Sequence, residues 1–334
     1  MKKRFLLCFL AILGVSNACK EEGKADYLPD SVGAMNTLTV VIDNELWKSN
    51  VGDAIRENYT AAAQGLTWDE ALFSITQIPP QIFSGAIRNT SSVLYVMEDS
   101  LNIAHMKSNM YANPQKVGVL KGRNKQELID NINKTAPEFI ADFKALEIGK
   151  AQKRFQISLN KEKALEDKFD ISLKIPSIYR VGREEDNFVW ISREIQKGNM
   201  NIIAYTMPAS SFQNDSTFTQ DIIRMRDSIG SLFIPGTDIP GKKNHMITEK
   251  AFSPYVFPAE VSGKKAAEVR GIWEMSDYPM AGPFLTYIIN DKENDRKLIL
   301  EGFVFAPATK KRDYMFELEA ILKSVQFDVS KQTK

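Results

Sequence analysis

Cys19 carries the most specific chemical signal in the chain. Directly before it lie Ser, Asn and Ala at residues 16–18, preceded by a nearly unbroken apolar run at residues 5–15 and three basic residues at 2–4. The run is shorter than the roughly 20 residues of a membrane-spanning helix and is typical of a secretion signal. We therefore predict that residues 1–18 are a signal peptide and that Cys19 is lipidated. The alternative is a simple cleaved signal followed by an incidental cysteine.

Counting cysteines supports lipidation. The only other cysteine, Cys8, lies inside the predicted leader, so the mature chain would hold one thiol and no disulfide. Acylation would account for that single exported cysteine. No later segment is apolar enough to span a bilayer, so the predicted membrane contact is the N-terminal lipid.

The remaining reactive residue types form no catalytic or metal-binding motif. His105 and His245 are far apart, and HExxH, CxxC and calcium-loop spacings do not occur. The Gly-x-Ser-x-Gly motif and the Gly-rich phosphate loops are not found either. We predict no metal, no cofactor and no catalytic residues. A Ser, His and Asp set assembled from distant residues is the alternative.

Four Asp-Ser pairs resemble the O-glycosylation acceptor pattern of Bacteroidetes envelope proteins. Asp-Ser pairs are also good helix caps and turn formers, which would explain them without modification. Ser31 is the candidate site because it lies in a segment expected to be a tether. The pairs are Asp30-Ser31, Asp99-Ser100, Asp215-Ser216 and Asp227-Ser228.

A turn-forming segment near the end of the chain holds the candidate partner-binding residues. Arg270, Met280 and Pro283 flank this turn, and the long Gly/Pro-containing loop 235–248 precedes it. Because strand side chains alternate, Arg270 and Trp273 should lie on opposite faces. We expect Arg270 to be an exposed contact and Trp273 to be core, with the contact near a cleft between two domains.

The pattern of apolar residues predicts an α+β fold of two halves, mainly antiparallel sheets with helices packed on a face. We predict strands near residues 38–42, 72–78, 93–97, 116–120, 171–175, 188–191, 201–207, 255–261, 268–274, 284–289 and 297–305. Helices are expected after Asn44 and at 127–133, 137–155, 218–232 and 310–325. The predicted organisation is a lipidated flexible tether at 19–36, an N-terminal α+β domain at 37–156, a helical, charged linker at 157–169 and a C-terminal α+β domain at 170–328.

Composition is that of an ordinary globular protein, with 43% hydrophobic and 25% charged residues. The formal net charge is +1, and removing the three leader cations leaves the mature chain slightly acidic. We therefore expect no nucleic-acid partner.

Several segments resemble a lipoprotein family of Bacteroidetes known only as a domain of unknown function. Nearly the whole mature chain takes part, although Ala281 stands where the family is expected to have a second glycine. The resemblance implies a signal peptide, a lipid anchor and residence in the cell envelope, and it supplies no catalytic residues. The resembling segments are LPDSVGAMNTLTVVIDNELWKSNVGDAIR, FIPG, RGIWEMSDYPMAGPF and EGFVFAPATKKRDYMFELEAIL.

Residues 20–22, Lys-Glu-Glu, resemble the signal that sends such lipoproteins to the outer surface, although charge in a tether would also serve solubility. The sequence thus predicts a non-enzymatic binding or assembly protein, lipid-anchored to the outer membrane, with an envelope protein or a glycan as partner. The resemblance of residues 20–22 adds surface display as an expectation. The competing hypothesis is a hydrolase that acts on an envelope polymer with dispersed active-site residues.

Overall fold

The computed structural model describes residues 27–332. Cys19, the predicted leader and the Lys-Glu-Glu motif lie outside the described residues. The described chain has an α+β fold, which confirms the predicted class. None of its helices within 27–332 is long and apolar enough to cross a membrane.

The first half, residues 27–156, contains a five-stranded sheet in the order β2-β1-β3-β5-β4. β1, β2, β3 and β5 run parallel, and β4 is antiparallel to β5. Parallel pairing departs from the expected antiparallel arrangement. Helices α1 and α2 return the chain from β1 to the start of β2, and the antiparallel strand β4 returns it from β3 to the start of β5. The elements are β1 Thr37–Val41, α1 Asn44–Trp47, α2 Asn50–Tyr59, β2 Ser74–Ile78, β3 Ser92–Glu98, β4 Ile103–Ser108, β5 Lys116–Gly122 and α3 Lys125–Phe155.

Helix α3 continues through Pro137, where the sequence predicted a break between two helices. A proline inside a helix costs about 3 kcal/mol. Burial of Ala136 and Phe139 on either side of the proline offsets that cost. Phe143 belongs to the core of the first half and Phe155 to the core of the second half. One helix therefore contributes to both cores.

The second half, residues 157–332, contains an antiparallel sheet in the order β10-β12-β13-β14-β9-β8-β7, with β11 also paired to β12. Antiparallel pairing here follows the prediction. A small ladder joins β6 to β15. The elements are α4 Ala164–Phe169, β6 Ile171–Ser172, β7 Arg180–Glu185, β8 Phe188–Ile195, β9 Gly198–Pro208, α5 Phe218–Phe233, β10 Met246–Thr248, β11 Tyr255–Val261, β12 Lys264–Met275, β13 Ala281–Asp291, β14 Arg296–Phe305, α6 Arg312–Leu322, β15 Gln326–Phe327 and α7 Val329–Gln332.

Both faces of this large sheet are covered. Leu318 and Ile321 of α6 join the core on one face, and Ile222 and Met225 of α5 join the core on the other face. Trp273 is buried on the α5 face, as expected. Side chains from both faces of the middle of β12 therefore meet protein, whereas Lys265 near its start is exposed.

A fully buried ion pair lies under α5. The Nε and Nη2 atoms of Arg226 donate to the two carboxylate oxygens of Glu301 at 2.8 and 2.7 Å. Thr286 donates to the same carboxylate, and Arg226 also donates to Thr248. The guanidinium lies 3.4 Å from the ring centroid of Phe284. Both charges thus have the hydrogen-bond partners that burial demands.

Candidate functional site

A cleft lies where the first half meets β12 and α6 of the second half. Its volume is about 40 Å³, and it opens to solvent on one side. Leu66, Leu72, Met315 and Phe316 provide its apolar lining. Its polar lining comes from both halves and consists of Asn36, Gln64, Lys144, Arg270, Arg312 and Glu319.

The loop between α2 and β2 forms one wall and lies directly against β12. Gly65 in this loop has φ +76°, and a Cβ atom placed there would lie 2.8 Å from the Cβ of Arg270. Glycine adopts this backbone conformation readily, and its lack of a Cβ atom leaves room for the close approach of the loop to Arg270. The sequence of the loop therefore allows the two halves to meet closely at the cleft.

Two hydrogen-bonded contacts between the halves fix the position of α6 beside the cleft. The carboxylate of buried Glu70 accepts the backbone N–H groups of Lys311 and Arg312. Arg312 in turn donates to the carbonyl of Ala71 at 2.9 Å and to the hydroxyl of Ser74 at 3.3 Å. These bonds tie the first turn of α6 to the loop of the first half.

A network of four charges lies on the second-half side. Arg270 donates to Glu319 at 2.8 Å and to Glu268 at 2.6 Å. Lys323 donates to the other oxygen of Glu319 at 2.8 Å, and the hydroxyl of Tyr287 donates to the other oxygen of Glu268 at 2.7 Å. Each of the four carboxylate oxygens therefore already accepts a hydrogen bond.

The network sets the charge states of its members. Burial opposes the charge on Arg270, but Glu319 and Glu268 outweigh it and raise the pKa of the guanidinium. Burial likewise opposes ionisation of Glu319, and the neighbouring Arg270 and Lys323 outweigh it, so that the pKa of Glu319 is well below its usual range. Burial, followed by the same two carboxylates, raises the pKa of Tyr287 far above that of free tyrosine. Arg270 and Glu319 are therefore both held in their charged forms.

Lys144 of α3 faces this network from the first half. Its side chain is partly buried in the cleft. Among the described residues, its ammonium takes part in no hydrogen bond or ion pair. Burial lowers the pKa of Lys144, and the nearby carboxylate of Glu319 offsets only part of this effect. The cleft thus holds a cation whose charge no residue neutralises by direct contact.

The predicted partner-binding residues do not come together. Arg270 lines the cleft, but its side chain is only 18% exposed and holds two carboxylates, so the expectation of an exposed contact is wrong. The error came from treating the α6 face of β12 as open. Pro283 is buried in β13 opposite Ile272, and Met280 packs against the core on the α5 face. These two residues lie nearer the hairpin turn, away from the cleft.

Ser31 and its neighbours lie against the first sheet. Asp30 forms a bridge with Asn113 and Val32 one with Thr90. The hydroxyl oxygen of Ser31 is buried and has no hydrogen-bond partner among the described residues. The expectation of a free tether therefore does not hold at these positions. A glycosyltransferase would reach Ser31 only if this segment detached.

Loop 235–248 is folded back on itself and onto the β12–β13 hairpin. Pro235 forms a bridge with His245, and the side chain of Asn244 is buried. Lys242 pairs with Asp277 at 2.7 Å. The length of this loop reflects these contacts and the short strand β10 at its end.

A second depression lies at the carboxyl ends of β1 and β3. It is open to solvent, with a volume of about 340 Å³, and Asp43, Glu45, Glu98 and Lys125 contribute its charges. The carboxylate of Asp43 accepts the backbone N–H of Glu45 and caps α1. Within residues 27–332, no three His, Cys, Asp or Glu side chains converge to hold a metal.

Sequence reasoning missed Lys144, Glu268, Glu319 and Arg312. The signal that could have found Glu319 is its place in a helix of apolar residues, beside Leu318 and close to Leu322. A charge on the buried face of a helix needs a partner. Lys144 gave no such signal, because buried and exposed positions are mixed along this part of α3. A lysine there is not marked by the sequence as lying on a buried face.

Comparison with known proteins gives family matches without an activity. The family model described as "Domain of unknown function (DUF4837)" matches residues 158–324, and "Domain of unknown function (DUF8532)" matches residues 31–156. No curated protein matches the sequence.

Two solved structures show a weak likeness. The crystal structure of the Saccharomyces cerevisiae Ran-binding protein Mog1p has 9% identity and a TM-score of 0.30, covering 48% of this chain and 92% of that chain. A Mog1 mutant has 11% identity and a TM-score of 0.28, covering 49% and 94%. Likeness at this level carries no argument about function.

Proposed function

Since the chain belongs to the DUF4837 family, we propose from its cleft and its N-terminal sequence that it is a non-enzymatic cell-envelope lipoprotein that binds a partner. In this proposal Cys19 carries the lipid that holds the protein on the outer membrane, and display at the cell surface is a separate part of the proposal. The partner is an envelope protein or a glycan. The cleft between the halves receives part of that partner.

The observation that supports partner binding is the unneutralised ammonium of Lys144 in a preformed cleft. Residues of both halves shape the cleft, and hydrogen bonds between the halves hold its walls in place. A partly buried charge without a counterion is unfavourable in the free protein. A partner that supplies the counter-charge would remove this unfavourable energy, and its removal would strengthen binding.

The competing hydrolase hypothesis would need a nucleophile and a base near one another. Nδ1 of His245 lies 2.8 Å from the carbonyl oxygen of Lys243 in the same loop. His105 lies on the edge strand β4. Neither histidine lines the cleft. The cleft residues instead offer charge and shape, which favours binding over hydrolysis.

Site-specific cross-linking tests the binding proposal. A photo-cross-linking residue at exposed Gln64, which lines the cleft, should give a discrete adduct with an envelope component in intact cells. The matched control is the same residue at exposed Lys134 on α3, roughly 15 Å along the helix from Lys144. Equal adducts at both positions, or none at Gln64, would contradict binding at the cleft.

Fatty-acid labelling tests the anchor separately. Cys19→Ala should abolish labelling and leave a larger, unprocessed precursor, because the acylated thiol is gone and lipoprotein signal peptidase does not cut. Added protease on intact cells then tests surface display. Normal labelling of the Cys19→Ala protein would rule out this anchor.

A further inference from the structure

The chemistry of the cleft indicates which group of a partner would enter it. Lys144 follows buried Phe143 on α3 and lines the cleft. Its nearest possible counterions are already engaged, since all four oxygens of Glu268 and Glu319 accept hydrogen bonds from other groups. Arg270 and Lys323 already balance the charges of these two carboxylates, and the ammonium of Lys144 makes no hydrogen bond or ion pair with either of them.

A further cation of the cleft, Arg312 at the start of α6, is also committed. Arg312 donates from Nε to Asp313 at 2.9 Å and from Nη1 to the carbonyl of Ala71. Asn36 donates to the same oxygen of Asp313 at 2.9 Å. Arg312 and Asp313 therefore balance each other. The four-charge network is also neutral overall. The ammonium of Lys144 therefore gives the cleft one excess positive charge.

Charge and size together define the ligand group. The cleft volume of about 40 Å³ exceeds the roughly 10–15 Å³ that one water needs, so the cleft has room for a group of a few atoms. A carboxylate is such a group, and its single charge balances Lys144. A phosphate group carries about −1.5 to −2 at neutral pH, which would leave excess negative charge beside Glu319.

We propose that the cleft binds one carboxylate group, which pairs with the ammonium of Lys144 while exposed Gln64 lies at the entrance. This inference rests on the proposed binding function and names the ligand chemistry of the same site. The carboxylate could come from a peptide, as an acidic side chain or a C-terminus, or from an acidic sugar of a glycan.

Small carboxylates test the ligand chemistry directly. The processed full-length protein in detergent is titrated with acetate, N-acetylalanine and glucuronate at constant ionic strength, with inorganic phosphate as the comparison anion. Each carboxylate should raise the melting temperature in a saturable way. In Lys144→Met the apparent Kd should be at least tenfold weaker, whereas the exposed-lysine control Lys134→Met should leave it unchanged. Tighter binding of N-acetylalanine would indicate a peptide source, and tighter binding of glucuronate a glycan.

Several results would overturn the carboxylate inference. These are an unchanged Kd in Lys144→Met, no saturable response to any carboxylate, or phosphate binding as tightly as acetate. Circular dichroism checks that Lys144→Met is folded, and Lys144→Gln provides a second neutral variant if it is not.

The outcome separates the inference from the function on which it rests. Cross-links from Gln64 that persist in Lys144→Met and in excess acetate would keep partner binding and reject the carboxylate. Saturable carboxylate binding without any cross-link would keep the ligand chemistry and reject the envelope partner.

Discussion

Glu70 caps a helix that belongs to the other half of the molecule. Its carboxylate accepts the backbone N–H of Lys311 at 2.7 Å and that of Arg312 at 3.1 Å, at the start of α6. Lys311, which occupies the N-cap position, provides no side-chain cap of its own. The start of α6 therefore depends on a residue some 240 positions earlier in the chain.

Glu70→Ala should lower the free energy of unfolding by about 1–2 kcal/mol, the usual cost of removing a helix cap. The loss arises because two N–H groups at the buried start of α6 lose their acceptor. Urea unfolding measures it. Asp69→Ala, at the exposed neighbouring position, is the control and should change stability by less than about 0.5 kcal/mol. Equal effects of the two substitutions would show that the cap contributes nothing.

Arg270→Ala should destabilise the protein by more than about 2 kcal/mol, because it leaves Glu268 and Glu319 without their shared cation. Thermal and urea unfolding both report this loss. The matched control is Lys265→Ala, an exposed position on the same strand, with an expected change within about 0.5 kcal/mol. A small effect of Arg270→Ala would mean that water replaces the guanidinium at this depth.

Acid should weaken the wild-type protein partly through Glu319. The pKa of Glu319 is lowered in the folded protein, so the unfolded chain takes up this proton first as the pH falls. The stability from this group is present above the ordinary glutamate pKa of about 4.3 and declines below it. The stability difference between wild type and Glu319→Gln should therefore shrink below about pH 4. A difference independent of pH between 3 and 7 would contradict the assignment.

The buried pair of Arg226 and Glu301 should show strong coupling in a double-mutant cycle. Arg226→Met alone should cost about 3–5 kcal/mol, because it leaves a buried carboxylate unpaired. Replacing Glu301 by Leu in the same protein should recover much of that loss, since an apolar pair can fill the site. Urea unfolding of both single variants and the double variant measures the coupling. Additive losses would show that the two residues act independently.

Much of the secondary structure could be predicted from local patterns, and the exceptions have physical causes. Helix α5 and six strands of the second sheet were expected, with bounds that differ from the observed ones by up to four residues, whereas β7 was missed. The six strands are β8, β9, β11, β12, β13 and β14. The edge strand β4 was missed because Lys107 and His105 interrupt its apolar character. The short strand β10 was missed inside a loop rich in Gly and Pro, since pairing with β12 stabilises it. Such pairing depends on partners distant in sequence.

The candidate site was less predictable than the fold. The opposite faces of Arg270 and Trp273 follow from strand alternation, and Trp273 is core as expected. What covers Arg270 could not be read from the strand, because Glu319 comes from α6 and the loop containing Gly65 comes from the other half. Lys144 became relevant only once α3 was placed beside both. The position of a cleft between halves is a property of tertiary packing.

The continuity of α3 has a consequence for how the molecule unfolds. Phe143 on its middle turns anchors one core, and Ala151 and Phe155 near its end anchor the other. Local opening of either core would expose apolar side chains of the same helix. Hydrogen exchange of the amides at residues 139–155 should therefore follow a single cooperative unit. Cleavage of the chain near residue 156 would separate Ala151 and Phe155 from the rest of the second core. The two halves would therefore not behave as exchangeable modules.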